Sequence, residues 1–342
     1  MRTLTISDTN VLKGVALLLL LCHHCFYPGE PYDDIVIKGV PLIDRLGSFS
    51  KICVALFVFL SGYGLTIQTM SRGSIGNVLN FYRRRYVKLM INYWLIWLIF
   101  IPMGVFAFHR TFPLVYGDHY KYRLFWDILG LHQAVFNEAG YNATWWFYSC
   151  IIVLYLIYPI LWRFRRFWFV MIPFSIVFEM AISHVPFFGP SNVGPYLLSF
   201  VCGLSYAYVN PCILGGAKII EKIFLLLILV IVCEYRFHTG AAYLWDTAII
   251  ITATFIYSIM SIPRLLFEVL IFLGKHSFNI FLFHSFIFYY YFHDYIYWSR
   301  NPLFIYLTLL AVCIPISMFI EWGKQYFHIN QLQNRLMGIV VR

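Results

Sequence analysis

Long apolar runs, separated by short polar segments, dominate this chain of 342 residues. A window of about 19 residues, the length that crosses a hydrocarbon layer as a helix, predicts ten membrane spans. The predicted spans are 11–27, 49–68, 89–107, 144–162, 167–184, 194–209, 221–235, 241–260, 276–292 and 302–322. The stretch 262–274 is short and interrupted, so we interpret it as a surface segment. The pattern predicts an all-α integral membrane protein in which residues 1–342 form a single bundle of about ten transmembrane helices, with no separate soluble domain.

Composition and charge agree with this class and predict an orientation. Hydrophobic residues make up 61% of the chain and charged residues 12%, whereas soluble domains carry about 25% charged residues. About two thirds of the 25 lysines and arginines fall in segments on the side of the N-terminus. Because basic residues are retained on the cytoplasmic side, both termini are predicted to be cytoplasmic in a multi-pass protein of the cell membrane. This topology and anionic lipid headgroups account for the net charge of +10 without a nucleic acid partner.

Two adjacent histidines interrupt the first apolar run. Lys13 and His24 are eleven residues apart, which returns a helix to within about 20° of its starting face after about 16 Å. An ionisable ring in hydrocarbon usually marks a reaction site, so His24 is the leading candidate. His23 points about 100° away and either takes a direct part or bonds to a backbone carbonyl. For the same angular reason Cys22, His23, His24 and Cys25 cannot converge on one ion, and no metal is expected.

A basic cluster precedes the third predicted span. It contains Arg84, Arg85 and Lys88, and the last two are one helical turn apart. Arginine forks bind phosphate oxygens, and lysine adds a point charge. The cluster is either a topogenic signal that touches lipid phosphates or, together with Lys13 on the same side, a site for a soluble cofactor that carries phosphates. Neither GxGxxG nor a Walker-type sequence is present, which argues against nucleotide hydrolysis.

Five motifs, in order along the chain, resemble those of the membrane acyltransferase 3 family. They are LKGVA at 12–16 with the later histidine, LFVFLSGY at 56–63, FYRRRYVK at 81–88, WWF at 145–147 with YLIYP at 155–159, and SFNIFLFH at 277–284. The resemblance implies an O-acyltransferase, most commonly an O-acetyltransferase. The implied donor is cytoplasmic acetyl-CoA or another acyl-CoA, and the implied acceptor is a hydroxyl of an extracytoplasmic polysaccharide or glycolipid.

The resemblance also implies roles for individual residues. The family's pattern of Arg or Lys, ten residues and His falls on Lys13 and His24. Its Arg-x-x-Arg pattern falls on Arg85 and Lys88, where lysine replaces the second arginine. Residues 151–152 are isoleucines where some members carry paired glutamates, so no carboxylate from this span is expected to assist. No hydrolase-like domain follows the last predicted span, so a second transfer step is expected to need a partner among glycan-assembly proteins.

The expected chemistry can also be built from the residues themselves. A thioester is already activated, so transfer needs a base for the acceptor hydroxyl and donors for the developing oxyanion. His24 is the predicted general base, because apolar surroundings favour neutral imidazole; direct transfer and acylation of this histidine are both open. Ser61, Tyr93 and Trp146 are either oxyanion donors or packing residues. His284 either lines the path of the acceptor or makes a structural hydrogen bond.

Polar segments between the spans give two further expectations. The long outer loops 28–48 and 108–143 are interpreted as lids or acceptor sites, because loops of this size often carry function. Asp246 lies near a predicted span end, where we expect its carboxylate to reach water.

A transporter or flippase of a glycan or lipid-linked intermediate is the main alternative function. Such proteins usually contain repeated halves and broken helices, and the two halves of this sequence share no convincing similarity. The absence of a repeat favours the enzyme. An inactive membrane scaffold is a second alternative, and it predicts that substitution of His24 and Arg85 changes nothing.

Overall fold

The computed structural model describes residues 4–26, 29–182, 194–209, 219–240, 243–260 and 262–338. The helices are Ile6–Cys25 (α1), Leu42–Ser50 (α2), Ile52–Ser71 (α3), Val78–Ala107 (α4), Phe112–Tyr116 (α5), Tyr120–Ile128 (α6), His132–Phe136 (α7), Trp146–Arg163 (α8), Trp168–Ile182 (α9), Gly194–Val209 (α10), Ile219–Thr239 (α11), Tyr243–Ile259 (α12), Arg264–Ser285 (α13), His293–Tyr297 (α14), Pro302–Tyr326 (α15) and Ile329–Leu336 (α16). A π-helical segment, Phe286–Tyr291, continues α13. Strands Val36–Ile37 (β1) and Val40–Pro41 (β2) pair antiparallel.

Six helical segments of the described residues are long and apolar enough to cross a membrane. They are Ile6–Cys25, Leu42–Ser71, Val78–Ala107, Ala143–Arg163, Arg264–Tyr291 and Pro302–Tyr326. The other four predicted spans coincide with α9 to α12. The predicted all-α membrane class is therefore confirmed. The number of ten crossings and the position of the termini stay predictions.

Two predicted boundaries differ from the structure. The interpretation of 262–274 as a surface segment was wrong, because residues 264–274 form the first half of α13, a helix that packs against α1. At the other end of the chain α1 begins before the apolar run. Its start is a capping box, in which the Thr5 hydroxyl accepts from the backbone N–H of Asp8 at 3.1 Å and the Asp8 carboxylate accepts from the backbone N–H of Thr5 at 2.8 Å.

Glycine permits a very close helix contact at the crossing of α1 and α13. A Cβ atom added at Gly14 would lie 2.2 Å from the carbonyl oxygen of Leu270, and one added at Gly274 would lie 1.9 Å from that of Asn10. Both distances are far below contact distance, so the two backbones touch where no side chain could fit. Small residues permit such approach in membrane bundles.

We expect Gly274→Ala to destabilise the protein by about 1–3 kcal/mol or more, which is the usual cost of overpacking a core. The added methyl group meets a backbone oxygen, which cannot move without displacing α1. Thermal unfolding of the detergent-solubilised protein measures the effect. Gly323→Ala in α15 is the matched control, because its Cβ would meet open space; equal melting temperatures for the two variants would contradict the prediction.

The bundle has two distinct ends, which we name by their residues. The loop end carries residues 29–50 and 108–143, which contain α2 and α5 to α7. The predicted outer loops 28–48 and 108–143 lie here, and α2 extends two residues beyond the first of them. The basic end carries Lys13, Arg85 and Lys88, together with α16. The two ends are joined by α1, α3, α4, α8, α13 and α15.

An ion pair ties the loop after α1 to the segment after α13. Nε2 of His293 lies 2.8 Å from the Glu30 carboxylate, and its Nδ1 lies 3.2 Å from Asp294. Burial lowers the pKa of His293, but hydrogen bonding to Glu30 and Asp294 outweighs it, so the pKa is raised overall. The stabilisation is therefore complete below the unfolded value of about 6.5 and is lost as the pH rises through the raised folded pKa.

We accordingly expect the wild-type protein to melt a few degrees higher at pH 6 than at pH 8. The difference should correspond roughly to the contribution of one surface ion pair to the free energy of unfolding. In His293→Gln the charged form cannot exist, so the difference between the two pH values should shrink. Differential scanning fluorimetry in one detergent at both pH values measures it. An identical pH dependence in the two proteins would show that His293 does not carry it.

Candidate active site

A cavity of about 620 Å³ lies at the loop end, between α1, α3, α8 and α13. His24 faces it from the last turn of α1 and is half-buried. The lining residues are Leu20, His23, His24, Gly29, Glu30, Lys51, Val54, Phe57, Ala143, Thr144, Trp146, Phe147, Phe281, Ser285, Phe288, Tyr289 and Tyr290. Aromatic rings and a few polar groups dominate this surface, which is typical of a small-molecule site.

Three histidines form a cluster at the inner wall of this cavity. The ring centroid of His24 is 4.9 Å from that of His23 and 4.9 Å from that of His284. Nδ1 of His23 lies 2.9 Å from the carbonyl oxygen of Gly47 in α2. This is the bond to a backbone carbonyl that was one of the two alternatives for His23. His23 nevertheless lines the cavity.

His284 is completely buried behind His24. Its Nδ1 lies 3.0 Å from the carbonyl oxygen of Ile280 and 2.9 Å from that of Phe281, so it makes the structural hydrogen bond that the sequence allowed. The ring stacks on Phe288, with centroids 5.7 Å apart, where the π-helical segment begins. Such segments often accompany functional sites.

Hydroxyl groups form the polar part of the cavity wall. Oδ1 of Asn142 accepts from the hydroxyl of Ser285 at 2.8 Å and from the hydroxyl of Thr144 at 2.9 Å. The two hydroxyl oxygens are 3.2 Å apart. Thr144 and Ser285 line the cavity, so they can exchange these internal bonds for bonds to a polar ligand.

Charged side chains also reach the cavity. Lys51, at the start of α3, lines it together with Glu30. Behind Lys51, Nε of Arg236 lies 2.5 Å from Oδ1 of Asp246, and neither side chain is more than 4% exposed. The expectation that Asp246 reaches water was wrong, because its charge is neutralised by a partner on a neighbouring helix and not by solvent.

The three proposed oxyanion donors lie in different places. Trp146 lines the cavity, and its indole ring stacks on Tyr196 with centroids 5.4 Å apart. Ser61 lies one turn further along α3 than the cavity residue Phe57 and donates to its carbonyl oxygen at 2.9 Å. Tyr93 does not line this cavity: its hydroxyl lies 2.6 Å from the carbonyl oxygen and 2.9 Å from Oδ1 of Asp127.

Asp127 is the centre of a buried network at the loop end. Its carboxylate accepts from the hydroxyls of Tyr93 and Tyr116 and from the backbone N–H of Tyr141, the last at 2.8 Å. Because it accepts three hydrogen bonds, the buried carboxylate is well solvated by the protein. This network fixes the segment 108–143 against α4, and Tyr93 is the residue of α4 that bonds to it.

The basic residues meet at the opposite end of the bundle. The charges of Lys13 and Lys88 are close enough to repel one another, and Lys88 interacts in the same way with Arg85. Arg85 also donates to Oε1 of Gln68 in α3. The fold thus brings Lys13 of α1 beside Arg85 and Lys88 of α4. Like charges gathered in this way create a positive potential that favours an anion.

Arg84 points away from this group. Its Nε donates to the carbonyl oxygen of Met337 at 3.3 Å, just after α16. Gln333 of α16 donates to the carbonyl oxygen of Lys88 at 3.2 Å. The helix α16 therefore packs over the start of α4, and Arg84 holds it there.

One face of α3 links the cavity to the basic end. Phe57, Ser61, Gly64 and Gln68 follow one another at spacings of three or four residues, so they share this face. Phe57 lines the cavity, and Gln68 binds Arg85. Between them Gly64 has open space where a Cβ would stand.

No group of three or more His, Cys, Asp or Glu side chains that could hold a metal ion occurs among the described residues. The cysteines that flank the histidine pair are buried free thiols.

The structure adds site residues that the sequence did not single out. Lys51, Thr144 and Ser285 line the cavity, but each is one of many similar residues near a span end. One local signal was at Ser285, which directly follows His284. The segment Asn142-Ala-Thr144 before the tryptophans was a second usable signal, because Asn and Thr at a helix start usually cap it.

Long apolar helices around a cavity with a histidine cluster define a multi-pass membrane protein with a built chemical site. A family model described as an acyltransferase domain, that of the acyltransferase 3 family, matches residues 6–322. The chain belongs to this family, and the resemblance carried by the five motifs is confirmed.

A curated relative agrees with the family. The chain is 30% identical over 169 residues to the acyltransferase MdmB of Streptomyces mycarofaciens. This match covers 48% of the chain and 41% of MdmB, so the chain spans less than half the length of that relative. No solved structure matches the chain.

Proposed function

We propose that the protein is an O-acyltransferase that moves an acyl group, in the first instance acetyl, from acyl-CoA to a hydroxyl of a polysaccharide or glycolipid in the cell envelope. The observation that carries the proposal is the arrangement of His24 in the loop-end cavity with Lys13 on the same face of α1, beside Arg85 and Lys88. Family membership supports the reaction class.

The donor is proposed to enter from the basic end. In CoA the phosphates and the thioester lie at opposite ends of a long flexible arm, and Lys13 and His24 are about 16 Å apart along α1. Lys13, Arg85 and Lys88 would hold the phosphates. The arm would follow the face of α3 that carries Ser61 and Gly64. Arg84, predicted from sequence to take part, would then act through its contact with the C-terminal segment.

The acceptor is proposed to enter from the loop end. Trp146, Phe288 and Tyr290 offer ring faces on which a sugar can stack, and Thr144 and Ser285 offer hydrogen bonds. Gly29 and Glu30 of the first loop line the cavity, which supports the interpretation of this loop as a lid over the acceptor.

His24 is proposed to take the proton of the acceptor hydroxyl as its oxygen attacks the thioester carbonyl. The C–O bond forms, the C–S bond breaks, and CoA leaves as a thiolate that receives the proton from the imidazolium. The indole N–H of Trp146 is the proposed donor to the oxyanion among the three candidates, because it lines the same cavity. No metal takes part in this scheme.

Both termini are proposed to lie in the cytoplasm, with the basic end inside and the loop end outside. Anionic lipids and glycan-assembly proteins are the proposed partners. This orientation makes the donor available where acyl-CoA is synthesised and the acceptor available where envelope glycans are assembled.

The test is thiol release by the purified protein in liposomes. With acetyl-CoA and an envelope glycan, an acyltransferase releases free CoA, and mass spectrometry finds the glycan heavier by an acetyl group. A transporter or flippase, the alternative, releases no thiol. Comparison of envelope glycans from wild-type and deletion strains then identifies the acyl group and the acceptor together.

A further inference from the structure

The ring of His284 has one nitrogen whose protonation state follows from its contacts. Its Nδ1 faces two carbonyl oxygens, those of Ile280 and Phe281, at 3.0 and 2.9 Å. Carbonyl oxygens only accept hydrogen bonds, so Nδ1 carries the hydrogen. In the neutral ring Nε2 therefore holds a lone pair and can only accept.

This Nε2 atom is buried and makes no hydrogen bond within the described part of the chain. An unsatisfied buried acceptor costs about 1–3 kcal/mol, so such atoms are rare and need an explanation. The residue is 0% exposed, which leaves little room for solvent. A neighbouring side chain with an N–H or O–H can supply the donor after a small movement toward Nε2.

His24 is the neighbour with such a group. The two ring centroids are 4.9 Å apart, and both rings contact Phe288, at 5.8 Å from His24 and 5.7 Å from His284. A neutral imidazole has one N–H and one lone pair. If His24 donates its N–H to Nε2 of His284, its other nitrogen is left unprotonated.

We propose that His284 is a positioning residue, which accepts the ring N–H of His24 and thereby fixes the tautomer in which the free lone pair of His24 faces the cavity. The inference rests on the proposed function of His24 as the base. When His24 takes up a proton during transfer, the same hydrogen bond becomes charge-assisted and shares the positive charge between two rings. The role corresponds to that of the group that orients the base in other acyl-transfer sites.

Two amide substitutions separate this role from a structural one. In His284→Gln the side-chain amide reaches the position of Nε2 and can accept from His24, but it loses the bonds to the carbonyls of its own helix. In His284→Asn the amide overlies Nδ1 and can keep the bonds to Ile280 and Phe281, but nothing reaches His24. Each variant therefore keeps one of the two functions of the ring.

We expect His284→Asn to lower kcat about 100-fold, within the range for loss of acid–base efficiency, and His284→Gln to lower it less than about 10-fold. The KM for acetyl-CoA should change less than threefold in both, because the donor phosphates bind at the other end of the bundle. A kcat for the Asn variant equal to or above that of the Gln variant would overturn the proposal and assign His284 a structural role. A changed donor KM with unchanged kcat would overturn it as well.

A second measurement does not depend on turnover. In protein labelled with ¹⁵N at histidine, the ring signals of His24 are those lost in His24→Ala. They should report one tautomer in the wild-type protein and in His284→Gln, and a mixture in His284→Asn. A single tautomer in the Asn variant would overturn the proposal even if the protein transferred no acyl group, whereas absence of thiol release from the wild-type protein bears only on the proposed function.

Discussion

Replacement of His24 by alanine should abolish acyl transfer while the donor still binds. The imidazole is the general base in the proposed reaction, and loss of such a group lowers kcat by about 10²–10⁴. Lys13, Arg85 and Lys88 lie at the other end of the bundle and keep their contacts, so the dissociation constant for CoA should stay within about threefold of wild type. Thiol release measures turnover, and calorimetric titration with CoA measures binding.

A second histidine provides the control for this substitution. His276 lies on α13, as His284 does, but its Nδ1 lies 2.9 Å from the hydroxyl of Ser317 and it does not line the cavity. His276→Ala should keep most of the activity. Loss of CoA binding in His24→Ala with residual turnover would contradict the proposal that the reaction takes place at the loop end and the donor phosphates bind at the basic end.

Removal of a basic side chain should have the opposite kinetic effect, which is weaker donor binding with little loss of turnover. In Lys13→Ala and in Arg85→Ala we expect the KM for acetyl-CoA to rise about 10–100-fold, because a hydrogen bond to a charged group contributes about 1.5–3 kcal/mol. The kcat at saturating donor should change little, since His24 and the cavity are untouched. Arg85→Lys should fall between wild type and Arg85→Ala, because lysine keeps the charge but loses the fork.

Salt and an exposed arginine give the controls for the donor site. Arg163, in the last turn of α8, is exposed, and its replacement by alanine should leave the donor KM unchanged. Added salt should raise the donor KM of the wild-type protein more than that of Arg85→Ala, because screening weakens an interaction that the variant already lacks. An unchanged KM in both Lys13→Ala and Arg85→Ala would remove these residues from the donor site.

The six long apolar segments could be predicted from the sequence because hydropathy is a local property. The failure at 262–274 has a local cause too. Arg264 and Glu268 lower the mean hydropathy of this stretch, yet both are exposed on a helix whose other side packs against α1. A window average cannot separate the two faces of a helix.

The site was accessible to sequence reasoning only where polar residues stand out against apolar ones. His24 and the group Lys13, Arg85 and Lys88 are conspicuous in that way. Lys51 and Ser285 are not, because their importance comes from the tertiary contacts of the cavity. Tyr93 shows the reverse: its polar group inside a span suggested chemistry, but its hydroxyl bonds to the buried Asp127.

The crossing of α1 and α13 carries a geometric consequence for the pair of imidazoles. Gly14 precedes His24 by ten residues, and Gly274 precedes His284 by the same number, which is about 15 Å along each helix. A methyl group wedged into this pivot that tilted one helix by about 5° would displace the far ring by more than about 1 Å, an error that can cost a hundredfold in rate. The two glycines thus help to set the relative position of the His24 and His284 rings from about half a membrane away. A substitution there that is too small to unfold the protein would still misalign the two rings.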